Sequence, residues 1–529
     1  MSRSRPDLLW TPLTAEVIGV GSGRARAVAK VLGALALGEA GRSVGVGRRK
    51  RSEKDDIAIE RQRARAVRRA MEDLGPFYVK IGQMLSTRPD IVPEVMLDEF
   101  KNLHEQVKVA PFSDFEPVLA DELGANWRSY FKEISVEKPL GAASLAQVYG
   151  VVLANGRPAV VKIQRPGIRP IMLDDMALLR KLSRQLAKRA PDFNAVIDVE
   201  SMLGTLFDAM EPELNFTLEA ANMRNAAEQA EDHEYITVPD VIFDTQRVLV
   251  QSMAPGQSIR NVNRDEFPDE ERDAIGRDLL AFMFRSFFVE RAFHADPHPG
   301  NIFVAPGHPA TIIDWGMIGR ADRRMSMTML LIIMALGQND GTALAKAWIE
   351  LGRPTPWANI PGFISDMQSF VPKVAGASME DLDFGVALTA ILKYSTRRGI
   401  QTSPVMSLLG KSFANVEGSI RYLAPELAIT DTLEDELKDI MMELARETLS
   451  QESAAKLAVE TMMTVASAPE QLRGFMRDVS NREFTLQSNS LQGPNSRNED
   501  RADKRAAAMR RTLIGVTAAG IWWDRKRRQ

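Results

Sequence analysis

Hydrophobic residues recur every three to four positions along much of the chain, which predicts many amphipathic helices. This pattern covers residues 60–85, 92–107, 174–190, 198–228 and 269–290, returns from 323 to about 477, and is weaker at 28–37. Short β-like runs lie at residues 131–136, 147–153, 159–164, 237–241, 247–253, 302–304 and 311–313. Strands mixed with helices and followed by an all-helical stretch are typical of a two-lobed phosphotransferase, and less so of a doubly wound sheet.

Turn and linker signals divide these elements. ANGRP joins the runs at 147–153 and 159–164, which predicts a β-hairpin. Residues 486–505 are rich in Ser, Asn, Gln and charge, which is typical of a flexible linker, and the chain has no internal repeat. We therefore expect five regions, at residues 1–59, 60–127, 128–255, 256–480 and 481–529.

The composition excludes several classes of site. The chain of 529 residues is longer than one compact domain and has no cysteine. Disulfides, thiolate-bound zinc, iron–sulfur clusters and cysteine nucleophiles are excluded, and a reducing compartment is favoured. Arg24, Arg26 and Lys30 interrupt the apolar N-terminal stretch, unlike the core of a secretion signal, so we expect a cytoplasmic protein.

Charge is distributed unevenly along the chain. Residues 1–70 carry 16 Lys/Arg against 7 Asp/Glu, and residues 501–529 carry 9 against 2, although the whole chain has a net charge of −3. The apolar run LIGVTAAGIWW, at 513–523, lies between basic residues of the C-terminal end and is too short to span a bilayer. It suits a membrane interface, but a short helix packed on the protein is the alternative. Few aromatic residues accompany the basic N-terminal region, so no nucleic-acid partner is expected.

The segment HADPHPGN, residues 294–301, has three interpretations. Zinc binding by His294, Asp296 and His298 is disfavoured because the other histidines have no ligand-type spacing to one another. A structural turn is compatible with the two prolines and the glycine. A catalytic loop is favoured by the spacing discussed next.

His294 and Asp296 are followed by four residues and then Asn301, and Asp314-Trp315-Gly316 ends an apolar run shortly afterwards. This is the spacing of a protein-kinase catalytic loop and its metal-binding Asp-x-Gly. Phosphoryl transfer needs a carboxylate to orient or deprotonate the nucleophile and oxygen ligands to hold Mg²⁺. We assign the first role to Asp296 and the metal-binding role to Asn301 and Asp314.

Lys162 lies in the apolar run PAVVKIQ and predicts a phosphate-binding lysine. A lysine on a buried strand needs an anionic partner, and Glu219 in ELNFTLEAANM is the best candidate. The alternative is that Lys162 faces solvent from the other side of its strand.

The loop before this hairpin departs from the kinase pattern. A kinase has G-x-G-x-x-G there, whereas this chain has Gly141-Ala142-Ala143-Ser144-Leu145-Ala146. Methyl groups restrict the approach of backbone amides to phosphates, so we expect nucleotide to bind in a changed pose. The glycine-rich stretches at 19–23 and 45–47 do not lie between a strand and a helix, so a dinucleotide site is not predicted there.

Six motifs occur in an order that identifies a family: KIGQ, PLGAASLAQVYG, VVKIQRPGI, ELNFTLEAANM, HADPHPGNIFV and IDWGMIG. They resemble those of the UbiB/AarF family of atypical protein-kinase-like proteins, the activity-of-bc-one-complex kinases, over roughly residues 60–330. The resemblance implies an α+β, protein-kinase-like two-lobed fold with an added N-terminal helical segment and a helical C-terminal lobe. That segment carries the KxGQ motif, here Lys80, Gly82 and Gln83, and folds over the active site where a protein substrate would dock.

The resemblance also implies that Glu213 is the partner of Lys80 at the nucleotide site. The alternative for KIGQMLS is an ordinary amphipathic helix with a solvent-exposed lysine. The family has Glu-x-Asp where this chain has Glu213-Leu214-Asn215, so one acid that could bind metal or Lys80 is an amide. Family members anchored in membranes often end in longer apolar spans, which favours peripheral attachment for this chain.

The leading hypothesis is therefore a Mg²⁺-dependent ATPase or phosphotransferase that binds ATP or ADP. It would support isoprenoid quinone or lipid metabolism at an anionic membrane surface, on the cytoplasmic face. One alternative is a nucleotide-binding pseudokinase that serves as scaffold for biosynthetic-complex proteins, with or without homodimer formation. Another is a soluble small-molecule kinase of the aminoglycoside or choline type, which shares the H-x-D and Asn spacing.

Overall fold

The fold is taken from a computed structural model that describes most of the central chain. It describes residues 53–86, 94–100, 102–103, 109–189, 212–355, 358–375 and 384–449, and the positions 28, 92, 200, 203–204, 207 and 210. The helix predicted at 28–37, apart from Val28, lies outside the described residues. So do the helical pattern beyond residue 449, the linker at 486–505 and the apolar run at 513–523.

The described residues of the N-terminal extension form three helices, α1 (Glu53–Leu74), α2 (Pro76–Ser86) and α3 (Glu94–Phe100). The helical pattern predicted at 60–85 is confirmed, and it forms two helices, α1 and α2. Gly75 adopts φ +101°, a left-handed conformation that ends α1, and Pro76 starts α2. The helix predicted at 92–107 is too long, since α3 ends at Phe100.

Gly82 is the contact point of this extension. A Cβ atom at Gly82 would lie 2.2 Å from Leu103 Cδ1 and 2.8 Å from Met71 Sδ, so α2 packs closely because this residue has no side chain. Met71 is on α1 and Leu103 follows α3, and both residues pack in the interior of the extension.

Gly82→Ala is expected to lower the free energy of unfolding by about 1–2 kcal/mol, because Leu103 and Met71 must move. Gly418→Ala is the matched control. Gly418 also lies inside a helix, Pro404–Leu423, but a Cβ there meets nothing within 4 Å. That control should gain about 0.5–1 kcal/mol from helix propensity. Chemical denaturation of both variants measures the effects, and equal effects would contradict the packing argument.

The middle of the chain builds an antiparallel sheet with helices beside it. Its elements are α4 (Glu116–Leu123), β1 (Phe131–Ile134), β2 (Gly141–Ala142), β3 (Ala146–Leu153), β4 (Pro158–Gln164), α5 (Ile168–Arg189), α6 (Phe216–Ala230), β5 (Ile236–Thr237), β6 (Val241–Asp244) and β7 (Val248–Ser252). The strand order is β1-β3-β4-β7-β6, and β2 pairs with β3. The predicted β3–β4 hairpin is confirmed, with Val148 opposite Lys162.

The sheet presents an apolar face to α4. Val161 and Ile163 on β4 are fully buried and belong to a cluster that also contains Phe115 and Leu119 from the α4 region. Because side chains alternate along a strand, Lys162 points to the opposite face, where α6 lies.

Two predicted elements of this region are interrupted in the structure. The helix predicted at 198–228 is broken at Pro212–Leu214, a 3₁₀ turn, and α6 begins after it. The strand predicted at 237–241 is two strands, β5 and β6, which lie in different sheets. Pro239 lies between them and cannot donate to a sheet ladder.

The second half of the chain is mainly helical, with short strands that hold the loops of the site. Its elements are β8 (Gln257–Ser258), α7 (Asp269–Phe288), β9 (Ala292–His294), β10 (Ile302–Val304), β11 (Ala310–Ile312), β12 (Ile318–Arg320), α8 (Arg323–Gly337), α9 (Gly341–Leu351), β13 (Arg353–Pro354), α10 (Ile360–Ala375), α11 (Phe384–Arg397), β14 (Ile400–Gln401), α12 (Pro404–Leu423) and α13 (Ile429–Leu449). Strand order β5-β11-β10-β8 forms one sheet, and β9 pairs with β12. HADPHPGN thus connects β9 to β10, and DWG connects β11 to β12.

The chain divides into two compact units. All elements through α12 belong to the first, and residues 433–449 are the described part of the second. In the part of the chain that the structure describes, no helix has the length and apolar character needed to cross a bilayer.

Candidate active site

Lys162, Glu219 and Asp314 form the centre of the candidate site. Lys162 Nζ lies 2.8 and 2.9 Å from the two carboxylate oxygens of Glu219 and 2.9 Å from Asp314 Oδ1. The Glu219 side chain is 5% exposed, whereas that of Asp314 is 52% exposed. The strand lysine therefore contacts the predicted glutamate and the aspartate of DWG, and the interpretation that it faces solvent is wrong.

The charges of these three groups depend on one another. Burial disfavours the charged amine of Lys162, but Asp314 and Glu219 outweigh burial and raise its pKa. Burial raises the pKa of Glu219 to about 7, although Lys162 opposes this. Lys162 lowers the pKa of Asp314 well below its usual range, because the amine lies against it. A lysine and two acids thus share a partly open site in which Asp314 is the ionised, accessible member.

The DWG segment is held in place by its backbone and by α6. Asp314 adopts φ +63°, a left-handed conformation that is uncommon for a non-glycine residue. Asn222, one turn after Glu219 on α6, donates from Nδ2 to the Trp315 carbonyl at 3.0 Å. The same helix thus positions both the glutamate and the loop that carries Asp314.

The HADPHPGN loop is ordered by bonds between its own residues and its neighbours. The His294 ring accepts from the Asp296 N–H at 3.1 Å through Nδ1, so Nε2 carries the proton and donates to the Ile313 carbonyl at 3.2 Å. Burial lowers the pKa of His294, which keeps the ring neutral. Asn301 Nδ2 donates to the Asp296 carbonyl at 3.1 Å. The Ile313 N–H donates to the Asn301 carbonyl at 2.9 Å, which holds Asn301 beside the residue that precedes Asp314.

Helix α12 supplies contacts that the sequence did not predict. Lys411 Nζ lies 2.9 Å from Asp296 Oδ1, and Asn415 Nδ2 donates to the same oxygen at 3.0 Å. Ser412 Oγ donates to the His294 carbonyl at 2.6 Å. No short motif marks these residues, since their contacts arise only when α12 packs on the loop.

The alanine-rich loop is closed on itself. The Ala143 N–H donates to the Ala146 carbonyl at 2.9 Å, and the Ala143 carbonyl accepts from Arg165 Nε at 2.9 Å. Gly141 and Ala142 pair with Val148 and Gln147 of β3. The backbone amide of Ala143 is therefore used within the loop itself.

The KxGQ helix α2 lies over this part of the molecule. Lys80 Nζ is 3.0 Å from Glu213 Oε2, and Gln83 Nε2 donates to the Leu103 carbonyl at 3.3 Å. Phe77 and Ile81 of α2 share a hydrophobic cluster with Leu145 at the tip of the alanine-rich loop. The expected Lys80–Glu213 contact is present, whereas the hydrogen bond of Gln83 lies within the N-terminal extension.

Asn215, the departure from the family's Glu-x-Asp, caps α6. Its side-chain oxygen accepts from the Thr217 N–H at 3.1 Å and from the Thr217 hydroxyl at 2.8 Å. Asparagine and aspartate are about equally good N-caps, so the helix that carries Glu219 keeps its start.

The predicted metal ligands have suitable chemistry for Mg²⁺. The Asn301 amide nitrogen is used by Asp296, which leaves its carbonyl oxygen as the atom for a cation, and Asp314 adds a carboxylate. Glu213 Oε1 is buried and finds no hydrogen-bond partner in the part of the chain that the structure describes, and burial raises the pKa of this group despite Lys80. Among the described residues, no three or more His, Asp or Glu side chains gather as a metal site of their own. The residues fit a cation that completes its coordination with phosphate oxygens and water.

Comparison with known proteins places the chain among kinase-like proteins. The family model of the ABC1 atypical kinase-like domain matches residues 102–348, and that of the UbiB helical domain matches residues 367–428. A probable protein kinase UbiB from Pseudomonas fluorescens (strain Pf0-1) is 31% identical over 396 residues, which cover 73% of each chain. Another from Cellvibrio japonicus (strain Ueda107) is 30% identical over 381 residues, or 70% of this chain and 68% of that one.

A solved structure has a similar fold. The chain of the Rv3197–erythromycin complex from Mycobacterium tuberculosis aligns with a TM-score of 0.50 and 23% identity, over 72% of this chain and 98% of that one. Together with the family match, this confirms the predicted kinase-like α+β fold with a helical C-terminal region.

Proposed function

Because the chain belongs to the UbiB family of ABC1 atypical kinase-like proteins, we propose that it is a Mg²⁺-dependent ATPase or phosphotransferase. The observation that carries this proposal is the contact of Lys162 with both Glu219 and Asp314. This contact brings a strand, a helix and a distant loop together at one point. ATP phosphates and their metal require such a meeting of a cation and carboxylates.

Each residue has a defined role in this proposal. Lys162, oriented by Glu219, binds nucleotide phosphates. Asn301 and Asp314 would hold Mg²⁺, whose charge stabilises the negative charge that develops on the phosphoryl oxygens. Asp296 orients the water or hydroxyl that attacks and accepts its proton. Lys80 and Gln83 belong to the helix that covers the site, and this arrangement favours a small acceptor over a protein.

We assign isoprenoid or quinone-related lipids at an anionic membrane surface as the acceptor of the phosphoryl group. The name UbiB shared by several relatives and the basic ends of the chain support this assignment. In this assignment the protein is peripheral to the cytoplasmic face of the membrane. Residues 513–523, with two tryptophans among basic residues, would contact the interface.

A pseudokinase scaffold is the second candidate, and one observation favours it. The Ala143 N–H is bonded within the alanine-rich loop, so this amide is not free to bind a phosphate. In that case nucleotide binding would stabilise the protein for assembly with biosynthetic-complex proteins, without turnover.

Phosphate release from ATP and Mg²⁺ by the purified full chain separates the candidates. We expect slow hydrolysis that rises several-fold with anionic liposomes and does not rise with neutral ones, because the basic ends bring the protein to charged lipid. Asp296→Asn with anionic liposomes is the control for hydrolysis by a contaminant. Nucleotide binding without Asp296-dependent phosphate release would identify the scaffold, and equal rates with both liposomes would contradict the membrane assignment.

A further inference from the structure

Helix α12 makes two contacts with the side chain of Asp296. Lys411 and Asn415 are four residues apart and therefore lie on the same face of the helix. Lys411 Nζ is 2.9 Å from Asp296 Oδ1, and Asn415 Nδ2 is 3.0 Å from the same atom. The side chains of Lys411 and Asp296 are 33% and 30% exposed, so the pair is partly shielded from water. Contacts of this kind are stronger than those of an exposed surface pair.

Both donors use one oxygen of the carboxylate. The amine of Lys411 and the amide of Asn415 thus approach the carboxylate from the same helix and restrain its orientation. A carboxylate that accepts a proton from a nucleophile must be held in the orientation that meets the nucleophile. Two donors on one face of α12 provide that restraint.

The HADPHPGN loop itself has no permanently charged residue that could hold the Asp296 carboxylate. HADPHPGN contains neither lysine nor arginine. His298 accepts from the Gly300 N–H at 3.0 Å through Nδ1, so this nitrogen serves the turn. The His294 ring accepts from the Asp296 backbone N–H. The permanent positive charge that touches Asp296 therefore comes from a helix far along the chain.

The charges around Asp296 favour its ionised form. Burial alone would raise the pKa of Asp296, but Lys411 outweighs it together with His298 and, at longer range, Lys80 of α2, so the pKa lies below its usual range. Lys411 is the only one of these three that also bonds to the carboxylate, among the described contacts.

We propose that Lys411 is a positioning residue that holds the Asp296 carboxylate in the orientation in which it meets the attacking group. The helical domain that follows the kinase-like domain would then complete the active site, since residues 367–428, which match the UbiB helical domain, include Lys411. This inference rests on the proposed function, because it assigns a partner to the base of that reaction.

The test is the steady-state kinetics of ATP hydrolysis by Lys411→Met, Lys411→Arg and wild type. Lys411→Met should lower kcat about tenfold, within the range of an acid–base contribution. It should leave the KM for ATP nearly unchanged, because Lys411 contacts the carboxylate and not the nucleotide site. Lys411→Arg should restore most of the rate. Lys346→Met, an exposed lysine on α9, is the matched control and should change nothing.

A double-mutant cycle with Asp296→Asn separates positioning from a general structural effect. Lys411→Met should cause no further loss in the Asp296→Asn background, since its effect acts through that carboxylate. Additive losses, or a Lys411→Arg variant as slow as Lys411→Met, would overturn this inference alone. Turnover that does not depend on Asp296 would overturn the proposed function and the inference with it.

Discussion

Asp314→Asn is expected to reduce ATP hydrolysis by at least about a hundredfold, the range found when a charged group that stabilises the transition state is removed. The variant loses the carboxylate that is ionised beside Lys162 and open on one side, and with it the stronger of the two predicted metal ligands. Asparagine is similar in size, so the left-handed backbone at this position should be kept. Phosphate release at saturating ATP and Mg²⁺ measures the effect.

Asp240→Asn is the matched control for this loss. Asp240 is 75% exposed and its only described ion pair, with Arg157, is 3.6 Å long, so the rate should not change. A wild-type rate in Asp314→Asn would remove the claim that this residue takes part in chemistry. A loss in both variants would indicate a general effect of removing surface charge.

Lys162→Met is expected to have the second largest effect, on nucleotide affinity and on stability together. The variant leaves Glu219 and Asp314 without the amine that lies 2.8 and 2.9 Å from them. The free energy of unfolding should fall by about 2–3 kcal/mol, less than for a fully buried pair, because Asp314 stays half exposed and Glu219 can bind a proton. Affinity for ATP should fall at least about tenfold, since a phosphate loses its cation.

The pH dependence of that stability loss has a defined sign. The folded-state pKa of Glu219, about 7, is above its unfolded value, so the folded protein binds the proton more tightly and stability falls as pH rises. Without Lys162 this carboxyl is protonated over a wider range. The loss caused by Lys162→Met should therefore be smaller at pH 6 than at pH 8.

Urea denaturation at the two pH values measures this effect, and Lys132→Met provides the control. Lys132 is an exposed lysine on β1 of the same sheet, so its replacement should leave both stability and ATP affinity unchanged. A Lys162→Met protein with wild-type affinity would show that phosphates bind elsewhere.

The contacts around Lys162 were predictable because each partner lies in a recognisable local pattern. A lysine between buried β-branched residues needs an anion, and the glutamate lies in a helical stretch with a distinct motif. These two residues are 57 positions apart, and Asp314 is 152 positions from Lys162. The order and spacing of motifs known from kinases link these residues, because no local secondary-structure propensity relates positions so far apart.

The contacts from α12 could not be predicted in this way. Asn415 is 119 positions from Asp296 and lies in a helix whose sequence indicates only amphipathic packing. Which polar residue of such a helix meets the loop depends on how the helix is rotated and where it crosses. Tertiary packing decides both, and a hydrophobic period alone does not.

Errors in the predicted elements have local causes. Hydrophobic periodicity continues across Gly75, so the period alone does not reveal that the Gly-Pro signal there ends one helix and starts the next. Pro239 likewise divides an apolar run into two strands. The strands β9 and β12 are short and are not continuously apolar, since they read Ala-Phe-His and Ile-Gly-Arg. The equally short β10 reads Ile-Phe-Val, and its apolar run reveals it.

A crystal structure with Mn²⁺ and a non-hydrolysable ATP analogue would locate the metal and the phosphates together. We expect an anomalous peak for Mn²⁺ within ligand distance of oxygens of Asp314 and Asn301. We also expect that Lys162 Nζ contacts a phosphate and keeps its contact with Glu219. A bound analogue with Mn²⁺ away from both residues, or with Lys162 still paired to Asp314 and not to phosphate, would contradict the proposed site.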